Sequence, residues 1–141
     1  MCCLFAVRLR GLKPKSKLYP NEINSLGDHI RQKRLDAGLH QEEIAGQIGV
    51  DKATICNWET NRREPETRHM PRIIEFLGYV PYATPQSFGE WLKTCRIAAG
   101  LSQKRLAKAI GMDPSTIREW ESGSHQPIER SLRRVKSFFK V

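Results

Sequence analysis

The chain has 141 residues, of which 39% are hydrophobic and 28% charged. That balance suits a soluble protein of one ordinary domain or two very small ones, and no run approaches the roughly 18 apolar residues of a membrane span. A net charge of +9 and a sequence pI near 9.7 favour a polyanionic partner such as nucleic acid, or an acidic membrane surface.

Residues 1–25 hold five cations, Arg8, Arg10, Lys13, Lys15 and Lys17, against one anion, and read as a mobile basic arm. The opening MCCLFAV is apolar before it is basic, the reverse of a secretory signal, so the expected location is the cytoplasm. The cysteines Cys2, Cys3, Cys56 and Cys95 show no C-x-x-C spacing and no histidine at zinc-finger distance, so reduced thiols are expected, with no metal site and no cofactor.

Beyond the arm the chain repeats itself. Residues 26–65 shifted by sixty-two places fall on 88–127 without a gap, with fifteen identities in forty, among them Gly27, Arg34, Gly38, Gln41, Ala45, Gly49, Asp51, Ile55, Trp58 and Glu59. Each copy predicts four or five short helices, an all-α fold. The first runs from about Leu26 to Ala37, or Phe88 to Ala99, and ends at Gly38 or Gly100, residues that tolerate the left-handed conformation past a helix end. Gln41 to Ile48 and Gln103 to Ile110 form the second, with apolar residues at helical spacing. Gly49 and Gly111 turn the chain. Asp51 and Asp113 are placed as N-caps of a third helix, Pro114 suits its first position, and Ile55 and Trp58 give it a buried side. Pro71 opens a closing helix through Ile73, Ile74 and Leu77. The expected domains are 26–79 and 88–141, joined by a semi-extended linker, 80–87; the alternative is that Tyr79, Val80 and Tyr82 pack the copies together. Charge is uneven: −1 over 26–79 and +6 over 88–141.

The pattern R-x-x-A-G-L-x-Q-x-x-[IL]-A-x-x-[IL]-G-x-D-x-x-T-I-x-x-W-E, present twice, closely resembles the helix-turn-helix of the lambda-repressor-like, Cro-type DNA-binding domains, the XRE family. The resemblance implies two tandem four- or five-helix bundles and a prokaryotic or phage transcription regulator, with a repressor favoured. It implies that Gln41 and Gln103 meet a phosphate at the start of the second helix, and that Arg34 with Glu59 and Arg96 with Glu121 form structural ion pairs.

Physical reasoning gives the reading face. A major groove about 12 Å wide admits one helix, so a compact domain must present a helix standing proud of its surface. With Ile55 and Trp58 turned inward, Lys52, Ala53, Cys56 and Asn57 face outward. Lysine suits guanine, asparagine suits adenine, and alanine can touch a thymine methyl. The second copy offers Ser115, Arg118 and Glu119 instead. Thr60, Arg62 and Arg63 are phosphate candidates in the first copy, and Lys104 and Ser122 join the second. Trp58 and Trp120 are expected in the core, and Cys95 in packing.

The expected partner is double-stranded DNA, with no membrane. A homodimer and a small protein partner are further expectations, the latter as an antitoxin-like module that also binds its own operator, which the near-neutral first copy favours. An enzyme is not expected: there is no phosphate-cradling glycine loop, the four histidines are scattered, and neither copy has room for a large cleft. No catalytic residue is assigned.

Overall fold

A computed structural model describes residues 18–141. The basic arm residues Arg8, Arg10, Lys13, Lys15 and Lys17, and Cys2 and Cys3, lie outside the described residues. Among the described residues there are eight α-helices and no strand. The first copy contains α1 (Leu26–Asp36), α2 (Gln41–Ile48), α3 (Lys52–Glu59) and α4 (Met70–Leu77), with a 3-10 turn, Thr67–His69, leading into α4. The second contains α5 (Phe88–Ala98), α6 (Gln103–Ile110), α7 (Pro114–Ser122) and α8 (Glu129–Phe139).

Local chemistry accounts for the helix ends. The hydroxyl of Ser25 accepts from the Asp28 N–H (3.1 Å) while the Asp28 carboxylate accepts from the Ser25 N–H (3.0 Å), a closed capping box. Ser87 does the first of these for α5, accepting from the Glu90 N–H at 3.2 Å. The Asp51 carboxylate accepts from the Thr54 N–H (2.6 Å) and Asp113 from the Ser115 N–H (2.8 Å), so the two aspartates cap α3 and α7 as their positions imply. Pro114 is the first residue of α7. After α2 and α6 the chain reverses through Gly49 and Gly111, with φ of 84° and 67°, where a side chain would be strained.

Each copy has its own core. Ile30, Ile44, Ala45, Ile48, Ile55, Trp58, Met70, Ile73 and Leu77 form the first; Leu92, Leu106, Ala107, Ile110, Ile117, Trp120 and Val135 form the second. Burying each large aliphatic side chain contributes about 1.5–3 kcal/mol. Trp58 and Trp120 both lie in the core, as expected. The closing helices differ more: Met70 is buried in the first copy, while Leu132 at the matching place in α8 is only half-buried.

Two glycines fix how the first helix of each copy meets the third. A Cβ on Gly27 would lie 1.9 Å from the Trp58 carbonyl oxygen, and one on Gly89 would lie 2.4 Å from that of Trp120. Backbone fills the space, so α1 crosses the end of α3, and α5 the end of α7, at a distance only glycine permits. Ser25 and Asp28 also reach Asn61, just beyond α3, through its side-chain amide.

The segment between the copies lies against the first bundle. The Tyr79 hydroxyl pairs with His29 Nδ1 at 2.8 Å, and the Tyr82 hydroxyl donates to the Met70 sulfur at 3.8 Å. Direct contact between the copies comes from elsewhere: α4 and the 3-10 turn pack on α5, and Ile97 of α5 packs against the first core.

Candidate nucleic-acid interface

The second and third helices of each copy, α2 with α3 and α6 with α7, form a braced pair that holds the third helix by one side. On α3, Ile55 and Trp58 are buried, Lys52 and Ala53 are exposed, and Cys56 and Asn57 are half-buried. Thr60, Arg62 and Arg63 follow, all exposed. On α7, Ile117 and Trp120 are buried while Ser115, Arg118, Glu119 and Ser122 are exposed. The two carboxylates at the helix starts are held below their usual range, Asp51 by the Thr54 backbone N–H and then its hydroxyl, Asp113 by the Ser115 hydroxyl and then its N–H. They stay ionised and complement the positive end of the helix.

Behind each third helix stands a buried ion pair. The Arg34 guanidinium donates to Glu59 through two bonds of 2.6 and 2.8 Å and to the Leu39 carbonyl at 3.0 Å. Arg96 makes the same three bonds, to Glu121 at 2.6 and 3.1 Å and to Leu101 at 2.8 Å. The side chains of Glu59 and Glu121 are only 2% and 6% exposed. These pairs join the end of the first helix to the end of the third, the structural role that the resemblance implied.

Gln41 and Gln103 are drawn into the same network. Their side-chain amides donate to Glu59 (2.9 Å) and Glu121 (2.8 Å). One amide hydrogen of each is therefore committed inward, which leaves the other hydrogen, the amide oxygen and the backbone N–H at the helix start for an outside group. Sequence reasoning saw only the outward role.

The structure adds a contact that spacing did not reveal. Lys52 Nζ lies 2.9 Å from Glu42 Oε1, bridging α3 to α2, with both side chains largely exposed. This hydrogen bond and charge hold the Glu42 carboxyl below its ordinary range. Lys52 thus meets solvent already paired. In the second copy Lys104, Arg105 and Lys108 are exposed on α6, and Lys104 stands where Glu42 does in the first. Glu119 of α7 approaches His125 at 3.5 Å, and the Ser122 hydroxyl is bonded to the Glu119 carbonyl at 3.0 Å. Cys95 is half-buried on α5 and its thiol is pushed up by that burial, which suits packing. Among the described residues no cluster of histidine, cysteine and carboxylate side chains could hold a metal ion, and no helix is long and apolar enough to cross a membrane.

Twin helical bundles that each offer one capped, half-embedded helix with a polar outer stripe define a protein of the helix-turn-helix class. The chain belongs to the helix-turn-helix family, whose model matches it twice, over residues 30–83 and 92–137. It is similar to the cryptic phage CTXphi transcriptional repressor RstR of Vibrio cholerae, with 37% identity over 54 residues, which is 38% of this chain and 48% of that protein. The chain thus spans about half the length of this curated relative. No solved structure matches.

Proposed function

We propose that the chain is a sequence-specific transcriptional repressor that reads the DNA major groove with α3 and α7. The observation that carries this reading is the division of each third helix into an anchored side, Ile55 with Trp58 and Ile117 with Trp120, and an outer side of unlike residues. Lys52, Ala53, Cys56 and Asn57 present one set of donors, acceptors and apolar contacts; Ser115, Arg118 and Glu119 present another. Thr60, Arg62 and Arg63 after α3, Lys104 on α6 and Ser122 at the end of α7 supply the phosphate contacts, together with Gln41 and Gln103. Two different heads suit an asymmetric operator. Repression is favoured by the likeness to the phage relative, a transcriptional repressor.

The test is selection of bound duplexes from a random library with the purified chain. A consensus with two unlike half-sites is the expected result, and affinity should fall steeply as salt rises. Enrichment of a single half-site would reduce the reader to one copy. No enrichment over bulk duplex would remove the proposal.

A further inference from the structure

Matching glycines of the two copies have different surroundings. Gly38 and Gly100 occupy the same place in the repeat, each just past the first helix and each with positive φ, 67° and 73°. A Cβ on Gly38 would meet nothing within 4 Å. On Gly100 it would lie 2.9 Å from Cγ and 3.1 Å from Cδ of Pro71, and 3.5 Å from the Thr67 carbonyl oxygen. Both latter residues belong to the other copy. The backbone conformation explains a glycine at both places, but only at Gly100 does a neighbouring bundle also press into it. Three residues earlier, Ile97 packs against the first core.

The tether between the copies has little slack. Tyr82 is bonded back to Met70, and the Gln86 N–H donates to the Glu90 carboxylate (2.7 Å) at the start of α5. Three residues lie between those two anchors, Ala83, Thr84 and Pro85, so the chain from Tyr82 to Gln86 spans at most about 14 Å. A tether that short keeps even a small seam at high effective concentration. Charged groups line the groove beside the seam: Glu64, Glu66 and Arg68 from the first copy, with Glu66 already paired to Arg68 at 3.0 Å, and Arg105 from the second.

We infer that the two copies form one rigid body, locked by Pro71 against Gly100 and by Ile97 on the first core, so that both reading helices are presented at a single separation and orientation. The consequence for DNA rests on the major-groove reading proposed above: the chain would act as a fixed-phase reader of a composite site, with Pro71, Ile97 and Gly100 as positioning residues that touch no base.

Rigidity is tested without DNA by residual dipolar couplings of the full chain in solution. One alignment tensor fitting α1 to α4 and α5 to α8 together is expected; two tensors of unequal magnitude for the wild-type chain would overturn the inference. Ile97→Ser and Pro71→Ala attack the seam from opposite sides and should each split the tensor while both halves keep their amide dispersion. If neither variant splits it, these residues are not the lock and the inference fails. The DNA arm then compares selected sites. The wild-type chain should favour one half-site separation; the seam variants should accept several and lose on the order of tenfold in affinity for the composite site. A chain with one tensor that enriches no duplex sinks the DNA reading and leaves the rigid body standing. A chain that enriches both half-sites at many separations does the opposite.

Discussion

The two copies agree inside and disagree outside. Arg34, Gln41 and Glu59 build the same buried network as Arg96, Gln103 and Glu121, with bonds that differ by a few tenths of an ångström. Outside, Glu42 faces Lys104 across the repeat, Glu43 faces Arg105, Lys52 faces Pro114, Cys56 faces Arg118 and Asn57 faces Glu119. A buried polar group left without its partner is expensive, so inward positions tolerate little change. An exposed one costs almost nothing to replace. The comparison teaches that the scaffold is held by a few paired atoms, which leaves the face free to differ.

The largest effect should come from breaking the inner network. Replacing Glu59 with Ala leaves Arg34 as an uncompensated, nearly buried cation and removes the bond from Gln41. A loss of about 3–5 kcal/mol is expected, enough to unfold a small bundle. Glu121→Ala should do the same to the second copy. Urea denaturation followed by the tryptophans of each copy measures both; a loss below about 1 kcal/mol would mean that these pairs behave like surface pairs.

Next come the crossing glycines. Gly27→Ala has to push α1 away from the end of α3, at a cost of about 3 kcal/mol. Gly38→Ala meets open space and should cost only the strain of a left-handed residue, about 1–2 kcal/mol. Equal losses in thermal melts would show that α1 is free to slide, and that close approach has no part in keeping Gly27.

These residues also mark how far the sequence could be read. The helices, the turn glycines, the capping aspartates and the two cores were legible because each depends on residues three or four apart, and because the repeat printed each signal twice. Gly27 and Gly89 stood among the identities, yet their reason was hidden, since it requires knowing that one helix crosses the end of another thirty residues away. The Lys52 to Glu42 contact was hidden for the same reason. Glu42 reads from sequence as one more anion of the near-neutral first copy, and only the packing of α2 beside α3 pairs it with Lys52. Tyr79 and Tyr82 sat in a stretch with two prolines and no charge, a composition that describes a linker well and says nothing of what its aromatic rings touch.

On the outer face the expected changes are of intermediate size. Lys52→Ala and Asn57→Ala in the first copy, and Arg118→Ala in the second, should each weaken discrimination at particular base positions by about 1–3 kcal/mol. Binding titrations against single-base variants of the selected site provide the measurement. Uniform loss on every sequence would mark the residue as a phosphate contact.

A charge swap between copies sharpens the comparison further. Glu42→Lys gives the first copy the residue that the second carries at that place and releases Lys52 from its ion pair. Affinity for non-specific duplex should rise, and the slope of log affinity against log salt should steepen by about one. Unchanged slope would place α2 away from the phosphates.

The smallest effect concerns a partly exposed place where the packing of the two scaffolds diverges. His29 of α1 corresponds to Trp91 of α5, and Tyr79 corresponds to Val141. In the second copy Trp91 packs edge-on against Phe139, with ring centres 6.1 Å apart. In the first, His29 instead meets Tyr79, edge-on at 5.7 Å and through the hydroxyl hydrogen bond. A polar pair thus does at one end of the first bundle what an aromatic pair does in the second. Tyr79→Phe keeps the ring and deletes the bond, so about 0.5–1 kcal/mol should be lost from the first copy and none from the second. Hydrogen exchange of α1 amides reads this directly: faster exchange confined to α1 is expected. Unchanged exchange would mean that ring packing alone closes the first bundle, as it does the second.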